Sequence, residues 1–314
     1  MPGLHARQTG VINPLMPNGR TGSSAPECQY RTIWISDLHL GTRDSQTAFL
    51  ADFLGRHSAE TLFLVGDIVD GWALQRSWFW DSGHDDVVNE ILRHAREGTR
   101  VIYIPGNHDE FLRKYIGFAV AQIEIALQWT HRLANGRKML VVHGDQFDGI
   151  VKHAKWLSVF GASAYRVALS LNRWFNQLRN RLGMPYWSLS AYLKQKTKRA
   201  VQYIADFESA IAETARDCSA DGVICGHIHH PEMRYIDGIQ YCNTGDWVES
   251  CTALVEHHDG RLELVEWIAE LAARTQSGVM ESAAIDLTAT PVPLVAALRQ
   301  ALSIGEQRPV VAAD

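Results

Sequence analysis

Five short segments of this chain concentrate carboxylates, imidazoles and one carboxamide: Asp37-Leu38-His39, Gly66-Asp67-Ile68-Val69-Asp70, Gly106-Asn107-His108-Asp109, His143-Gly144-Asp145 and Gly226-His227-Ile228-His229. No cysteine lies within any of them. Oxygen and imidazole donors without thiolates suit Mn, Fe or Zn ions doing hydrolytic work better than a structural zinc. Taken singly, each segment has an ordinary explanation: an Asp-x-His is often a turn, a Gly-Asp a loop end, and His143 a hydrogen-bonded core histidine. Five in one chain, each following a β-rich run such as Thr61 to Val65 or Met139 to Val142, point to one site for two metal ions. His5, His57, His84, His257 and His258 sit in no such segment and read as surface or packing residues, while His230 is left unassigned.

Such a set needs rigid elements that end at one place. Thr32 to Ser36, Thr61 to Val65 and Arg100 to Ile104 are short β-branched and aromatic runs. Helix-length stretches near Ser45 to His57 and Asp85 to Glu97 separate them, which is the rhythm of βαβ units with right-handed crossovers. This predicts a mainly parallel sheet with the ligands beyond its carboxyl ends. Residues two apart on an extended strand share a face, so Asp37 with His39, and His227 with His229, are expected to reach the metals side by side. After Asn107 the pattern changes to hairpins. Asn135-Gly136 separates two β-type runs, Asp237-Gly238 separates Met233 to Ile236 from Ile239 to Cys242, and Asp259-Gly260 separates Ala253 to Glu256 from Leu262 to Trp267.

At 314 residues and 46% hydrophobic content, the chain has enough material for one large α/β domain or two small ones, which excludes disorder of the whole chain. Residues 1 to 29 are rich in Gly, Pro, Asn and Ser without periodicity and read as a disordered leader. Residues 269 to 314 read as a tail or, in part, a loosely docked helix, with one amphipathic turn from Pro293 to Leu302. The five cysteines form no CxxC pair and fit a reducing compartment. No stretch approaches the roughly 18 to 20 apolar residues needed to span a bilayer, so the expected location is cytoplasmic, with attachment to the inner membrane surface left open.

The net charge of -5 hides an uneven distribution. Val151 to Ala200 holds ten lysines and arginines and no acid, leaving 20 cations against the 35 acids elsewhere. Trp156, Phe160, Tyr165, Trp174, Phe175, Tyr186, Trp187 and Tyr192 are interleaved with those cations, and apolar spacing over residues 150 to 215 is helical. Three readings stay open for this insertion: a cap packed on the core, a nucleic-acid surface, or a lid that binds a lipid phosphate at a membrane surface. Lys194 and Lys198 are one helical turn apart and could face a diphosphate together.

The series D-x-H, G-D-x-x-D, G-N-H-D/E, an isolated His and G-H-x-H resembles the calcineurin-like metallophosphoesterase superfamily over Arg31 to Trp267. The resemblance implies an α/β fold with central, β-sandwich-like mixed sheets flanked by helices, here spanning residues 30 to 268 with the helical insertion as a lid. It implies that Asp37, His39, Asp67 and His229 hold one divalent ion and Asp67, Asn107, His143 and His227 the other, with Asp67 shared and Mn as the expected metal. His108, oriented by Asp70, would then protonate or stabilise the leaving group. Within the superfamily, the insertion looks like that of the bacterial UDP-2,3-diacylglucosamine diphosphatase branch. The implied substrate is a lipid-linked nucleotide diphosphate, although the best-known members of that branch carry Arg where this chain carries His108. Another lipid, nucleotide or nucleic-acid phosphoester is the alternative substrate, and the oligomeric state is not implied.

Overall fold

The structure, a computed structural model, describes residues 28–120, 122–148 and 189–276. The expected leader up to residue 27, the aromatic positions Trp156 to Trp187 and the turn from Pro293 to Leu302 lie outside the described residues. Two mixed sheets form the frame. In the first, β1 (Cys28–Ile35), β2 (His57–Val65) and β3 (Arg100–Ile104) run parallel. The two-residue β4 (Ala119–Val120) closes the edge antiparallel to β5 (Ile123–Ile125), which is parallel to β3. In the second sheet, β6 (Trp129–Arg132) pairs antiparallel with β7 (Lys138–Val141), and β7 is parallel to β8 (Gly222–Cys225). β9 (Glu232–Ile236) pairs antiparallel with β10 (Ile239–Asn243), itself parallel to β8. The chain then returns to the first sheet, where β11 (Thr252–Glu256) and β12 (Leu262–Glu266) add an antiparallel pair beside β1. All three expected hairpins are present.

Both faces of the central strands are buried, which is why they read as near-continuous apolar runs. On β1, Ile33 and Ile35 face one way and Trp34 the other; on β2, Leu62 and Leu64 oppose Phe63 and Val65. The second set meets Met139, Val141, Ile224 and Cys242 of the second sheet, and Trp34 stacks on Phe63 with ring centroids 5.7 Å apart. Outside the first sheet lie α1 (Thr47–Arg56) and α3 (Ser82–Arg96), which bury Leu50, Phe53, Leu54, Val87, Val88 and Ile91. The short α2 (Gly71–Arg76) follows β2. His84 completes the start of α3: Asp81 accepts from its backbone N–H while its ring meets the Asp81 backbone, so its role is in packing and capping. A 29-residue helix, α4 (Leu189–Asp217), covers the second sheet through Phe207, Ile211 and Ala215, one turn apart on a single face.

Three boundaries differ from the sequence reading. β1 begins at Cys28, because Cys28, Gln29 and Tyr30 pair with His57, Ser58 and Ala59, and Tyr30 is buried. β2 correspondingly starts at His57, directly after α1, rather than at Thr61. The stretch read as the start of a tail is α5 (Trp267–Gln276), anchored by buried Trp267 and by Leu271 one turn later. No helix among the described residues is long and apolar enough to cross a membrane.

Candidate metal centre

Each of the five segments leaves the carboxyl end of a strand: β1, β2 and β3 in one sheet, β7 and β8 in the other. The parallel pairing within each set brings those ends to one rim. The local conformation is not extended, however. Asp37, His39, Asp67, His227 and His229 all have positive φ, between 48° and 72°. The expectation that Asp37 with His39, and His227 with His229, share a strand face is therefore corrected. Each pair lies past its strand in left-handed backbone, a conformation that costs free energy in non-glycine residues and clusters at functional sites. Buried Leu38 and Leu40, and the bonds from Asp37 N and His39 N to the carbonyls of Gly66 and Asp67, hold that turn in place.

The glycine before a candidate ligand makes room for a neighbouring side chain. A Cβ on Gly66, itself at φ +80°, would fall 2.2 Å from His143 Nδ1, and one on Gly226 would fall 2.3 Å from Asp37 Oδ2. Any larger residue at either position would push the facing side chain out of the cluster.

Two of the carboxylates are aimed by the same device. Asp37 Oδ2 accepts from His227 N at 3.0 Å and from the Ser36 hydroxyl, which turns Oδ1 toward His229 Nε2 at 3.2 Å. Asp67 Oδ1 accepts from His108 N at 2.9 Å, which turns Oδ2 toward His143 Nε2 at 3.4 Å and His108 Nε2 at 4.0 Å. Asp70 is divided: Oδ1 caps α2 through Ala73 N at 2.7 Å, while Oδ2 meets His39 Nδ1 at 3.1 Å and His108 Nδ1 at 3.0 Å. His39 Nε2 lies 3.3 Å from His229 Nε2, and His108 packs against Trp72 at 4.2 Å between ring centroids.

One candidate ligand atom from each of Asp37, His39 and His229 lies within 4.8 Å of the others, and the same holds for Asp67, His143 and His227. These groups bring together six of the seven residues expected as ligands; Asn107 is in neither group, and Asp67 is in only one of the two. Asn107 sits between Gly106, which packs on Asp67 and His143, and His108, whose amide binds Asp67. A third group, His39, Asp70 and His108, is the orienting chain just described. Asp37 Oδ1, Asn107 Oδ1 and His143 Nε2 are buried without a hydrogen-bond partner. An unmet buried polar atom costs about 1–3 kcal/mol, and three lone-pair donors left so in one place fit divalent cations. The donor set, all oxygen and imidazole nitrogen, fits Mn, Fe or Zn.

The electrostatics show how tightly these groups are coupled. Burial favours the neutral form of Asp37 and Asp67, yet the facing His229 and His143 outweigh it and hold both carboxyls below the ordinary range. Burial also disfavours the imidazolium, but Asp67 lifts His143 to about 10 and Asp37 lifts His229 to about 9. A dication at the centre would reverse this preference and keep the imidazoles neutral, so metal uptake is linked to proton release.

Several contributors were given no role in the sequence reading, although Asp109 and Asp145 stand inside its segments. Asp109, fully buried, accepts from Ile68 N at 2.8 Å, Gly106 N at 2.6 Å and the Tyr103 hydroxyl at 2.5 Å, so it ties the second and third ligand loops together. Asp246, whose Oδ2 lies 3.8 Å from His229 Nδ1, is fixed by the backbone N–H groups of Val248, Glu249 and Ser250. A signal existed for Asp246, since Gly245-Asp246 follows β10 much as Gly66-Asp67 follows β2. Asp148 meets His227 Nε2 at 2.7 Å, with no spacing to announce it. Arg113 binds Asp145 at 2.6 Å, which ties the turn after the third segment to the fourth. Lys194 and Lys198 fall on the first half of α4; their side chains lie outside the described residues.

The chain is similar to proteins of known name. The chain is 26% identical over 218 residues to a UDP-2,3-diacylglucosamine hydrolase of Aliivibrio fischeri, covering 64% of this chain and 82% of that one. It is 27% identical over 236 residues to the protein of that name from Chromohalobacter salexigens (69% and 88%), and 23% identical over 262 residues to that from Shewanella halifaxensis (75% and 98%). Residues 30–231 match the family model for calcineurin-like phosphoesterases. The protein thus belongs to the calcineurin-like phosphoesterase family and is a metal-dependent phosphoesterase.

Proposed function

We propose that the protein hydrolyses UDP-2,3-diacylglucosamine, or a closely similar lipid-linked nucleotide diphosphate, to UMP and the acylated sugar 1-phosphate, a step of lipid A biosynthesis. The observation that carries the chemistry is the adjoining pair of donor groups with their unmet buried atoms. The substrate reading is supported by the shared name of the relatives, which align over 82% to 98% of their own lengths.

In this reading Asp37, His39, Asp67 and His229 hold one ion and Asp67, Asn107, His143 and His227 the other, with manganese as the expected metal. Bound there, the ions supply polarisation of the phosphoryl oxygens and an activated water. The chain's own residues do the rest. Asp70 fixes His108 through Nδ1 and leaves Nε2 facing the centre. Burial works against a charged His108, but the Asp70 bond outweighs it and raises the imidazole above its ordinary value. With Nδ1 beside Asp70 and Nε2 toward the centre, His108 is placed to donate to the departing phosphate oxygen. Residues 30 to 268 form the catalytic domain, and the insertion from 150 to 215 acts as its lid, with Lys194 and Lys198 assigned to the anionic diphosphate. The acyl chains of such a substrate place the reaction at the inner membrane surface. A phosphodiesterase acting on a smaller diester is the second reading, and it draws on His108 standing where Arg is usual in the lipid branch.

The test is turnover of UDP-2,3-diacylglucosamine in detergent micelles with Mn, read by phosphorus NMR, beside bis-p-nitrophenyl phosphate. Release of UMP with the acyl-sugar phosphate supports the proposal. Hydrolysis of the generic diester alone would overturn the lipid substrate in favour of the second reading.

A further inference from the structure

An imidazole that binds a metal through one nitrogen needs an acceptor for the N–H on the other, since that bond selects the tautomer and aims the ring. Of the four histidines assigned as ligands, three share one arrangement, turning Nε2 inward and Nδ1 outward. His39 Nδ1 meets Asp70 at 3.1 Å, His143 Nδ1 meets the Val65 carbonyl at 2.8 Å, and His229 Nδ1 lies 3.8 Å from Asp246. His227 is reversed. Its Nε2 meets Asp148 Oδ1 at 2.7 Å, so with Nε2–H as donor the lone pair left for a cation is on Nδ1.

Asp148 has a second partner, and that partner comes from a different part of the fold. The Tyr203 hydroxyl, on α4, donates to the same Oδ1 at 2.8 Å. Burial and the nearby carboxylate push the Tyr203 phenol above its ordinary value, so it remains a donor throughout the neutral range. One turn further along α4, Phe207 packs its ring 6.0 Å from that of His227 and 6.4 Å from that of Tyr203. It also fills the space above Gly144, where a Cβ would come within 2.8 Å of it. The helix that bears Lys194 and Lys198 on its first half thus reaches the centre at one of the four histidines through a two-bond chain.

We propose that Asp148 is the positioning residue that aims His227 Nδ1 at the second metal ion, and that Tyr203 holds Asp148, so the seating of α4 sets the affinity of that ion. The proposal rests on the two-ion reading of the site. Loss of an outer partner of this kind weakens metal binding by about 10–100-fold. Docking of α4 then determines how completely the second half of the site is loaded.

Calorimetric titration of Mn into the metal-stripped, full-length protein tests this with Asp148→Ala, Asp148→Asn and Tyr203→Phe, and with His227→Ala as the reference for losing a ligand. The wild type should take up two ions. Asp148→Ala should weaken one of the two sites by about 10–100-fold and leave the other unchanged. Asp148→Asn, which keeps an acceptor oxygen, should recover part of the loss, and Tyr203→Phe should weaken the same site by a smaller factor. Turnover lost in Asp148→Ala should return at excess Mn, which a merely misfolded variant would not do. Two ions in the wild type with unchanged affinities in Asp148→Asn and Tyr203→Phe would overturn this proposal alone, even if Asp148→Ala failed to fold. A wild type that binds no second ion would overturn the two-ion reading and this proposal with it.

Discussion

Two buried polar clusters join the sheets, and they differ in how completely their lone pairs are met. Around Glu256, fully buried on β11, both carboxylate oxygens are doubly occupied. Oε1 accepts from Arg31 and from Ala134 N at 2.7 Å, and Oε2 from Thr32 Oγ1 at 2.7 Å and from His131 Nε2 at 3.0 Å. Five residues on from Thr32, just past the end of β1, lies Asp37, equally buried, with Oδ2 satisfied and Oδ1 left without a hydrogen bond. A buried acid with every lone pair met fastens the fold; a buried acid with an oxygen held back by its neighbours is prepared for something that binds there. Sequence composition does not separate the two cases, because both are acids beside histidines.

The contrast can be broken from either side. The largest effect is expected for Asp67→Ala, which removes the carboxylate assigned to both ions. Turnover should fall by more than about 10³-fold, beyond the loss of a single electrostatic donor, while circular dichroism and thermal melting show a folded protein. Full metal-dependent activity in that variant would contradict the assignment. His108→Ala should lower kcat by about 10²–10⁴-fold with the Mn content unchanged, as measured by elemental analysis.

Glu256→Ala should behave in the opposite way. It leaves Arg31 and His131 without their common acceptor and should destabilise the protein by about 3 kcal/mol in denaturant melts, with kcat per folded molecule unaltered. pH sharpens this. Burial would raise the Glu256 carboxyl, but His131, Ala134, Thr32 and Arg31 hold it down to about 2, against an ordinary 4.5. A depressed folded value means that the stabilisation is complete above the unfolded value and is lost as pH falls through the folded one. Wild type should therefore lose stability relative to Glu256→Gln between about pH 4.5 and 2, and parallel melting curves for the two would contradict it. The smallest effect is expected for the double variant Lys194→Ala with Lys198→Ala: a rise in KM of roughly tenfold with kcat unchanged, as when uniform substrate binding is lost. An unchanged KM would return the insertion to a packing role.

The candidate ligands were legible because each stands directly after a strand, and strand ends can be read from short apolar runs. The hairpins at Asn135-Gly136, Asp237-Gly238 and Asp259-Gly260 were legible because their turn chemistry is local. What the sequence did not disclose depends on distance along the chain. Asp148 and His227 are 79 positions apart, and Thr32 and Glu256 are 224 apart, with no fixed spacing that would flag either contact. The left-handed turns at Asp37, His39, His227 and His229 were also hidden. Those at Asp37 and His39 are held by buried Leu38 and Leu40 and by backbone bonds to the neighbouring loop, against the intrinsic preference of those residues. The start of β1 at Cys28 was missed for a similar reason, since the pairing with His57 to Ala59 creates the strand where local composition reads as a leader.

The most direct test of the two-ion centre is anomalous X-ray diffraction from Mn-soaked crystals, recorded on both sides of the Mn absorption edge. The account predicts two anomalous peaks about 3.5–4 Å apart, one among Asp37, His39 and His229 and the other among Asn107, His143 and His227, with Asp67 between them. A single peak, or two peaks away from these residues, would contradict it.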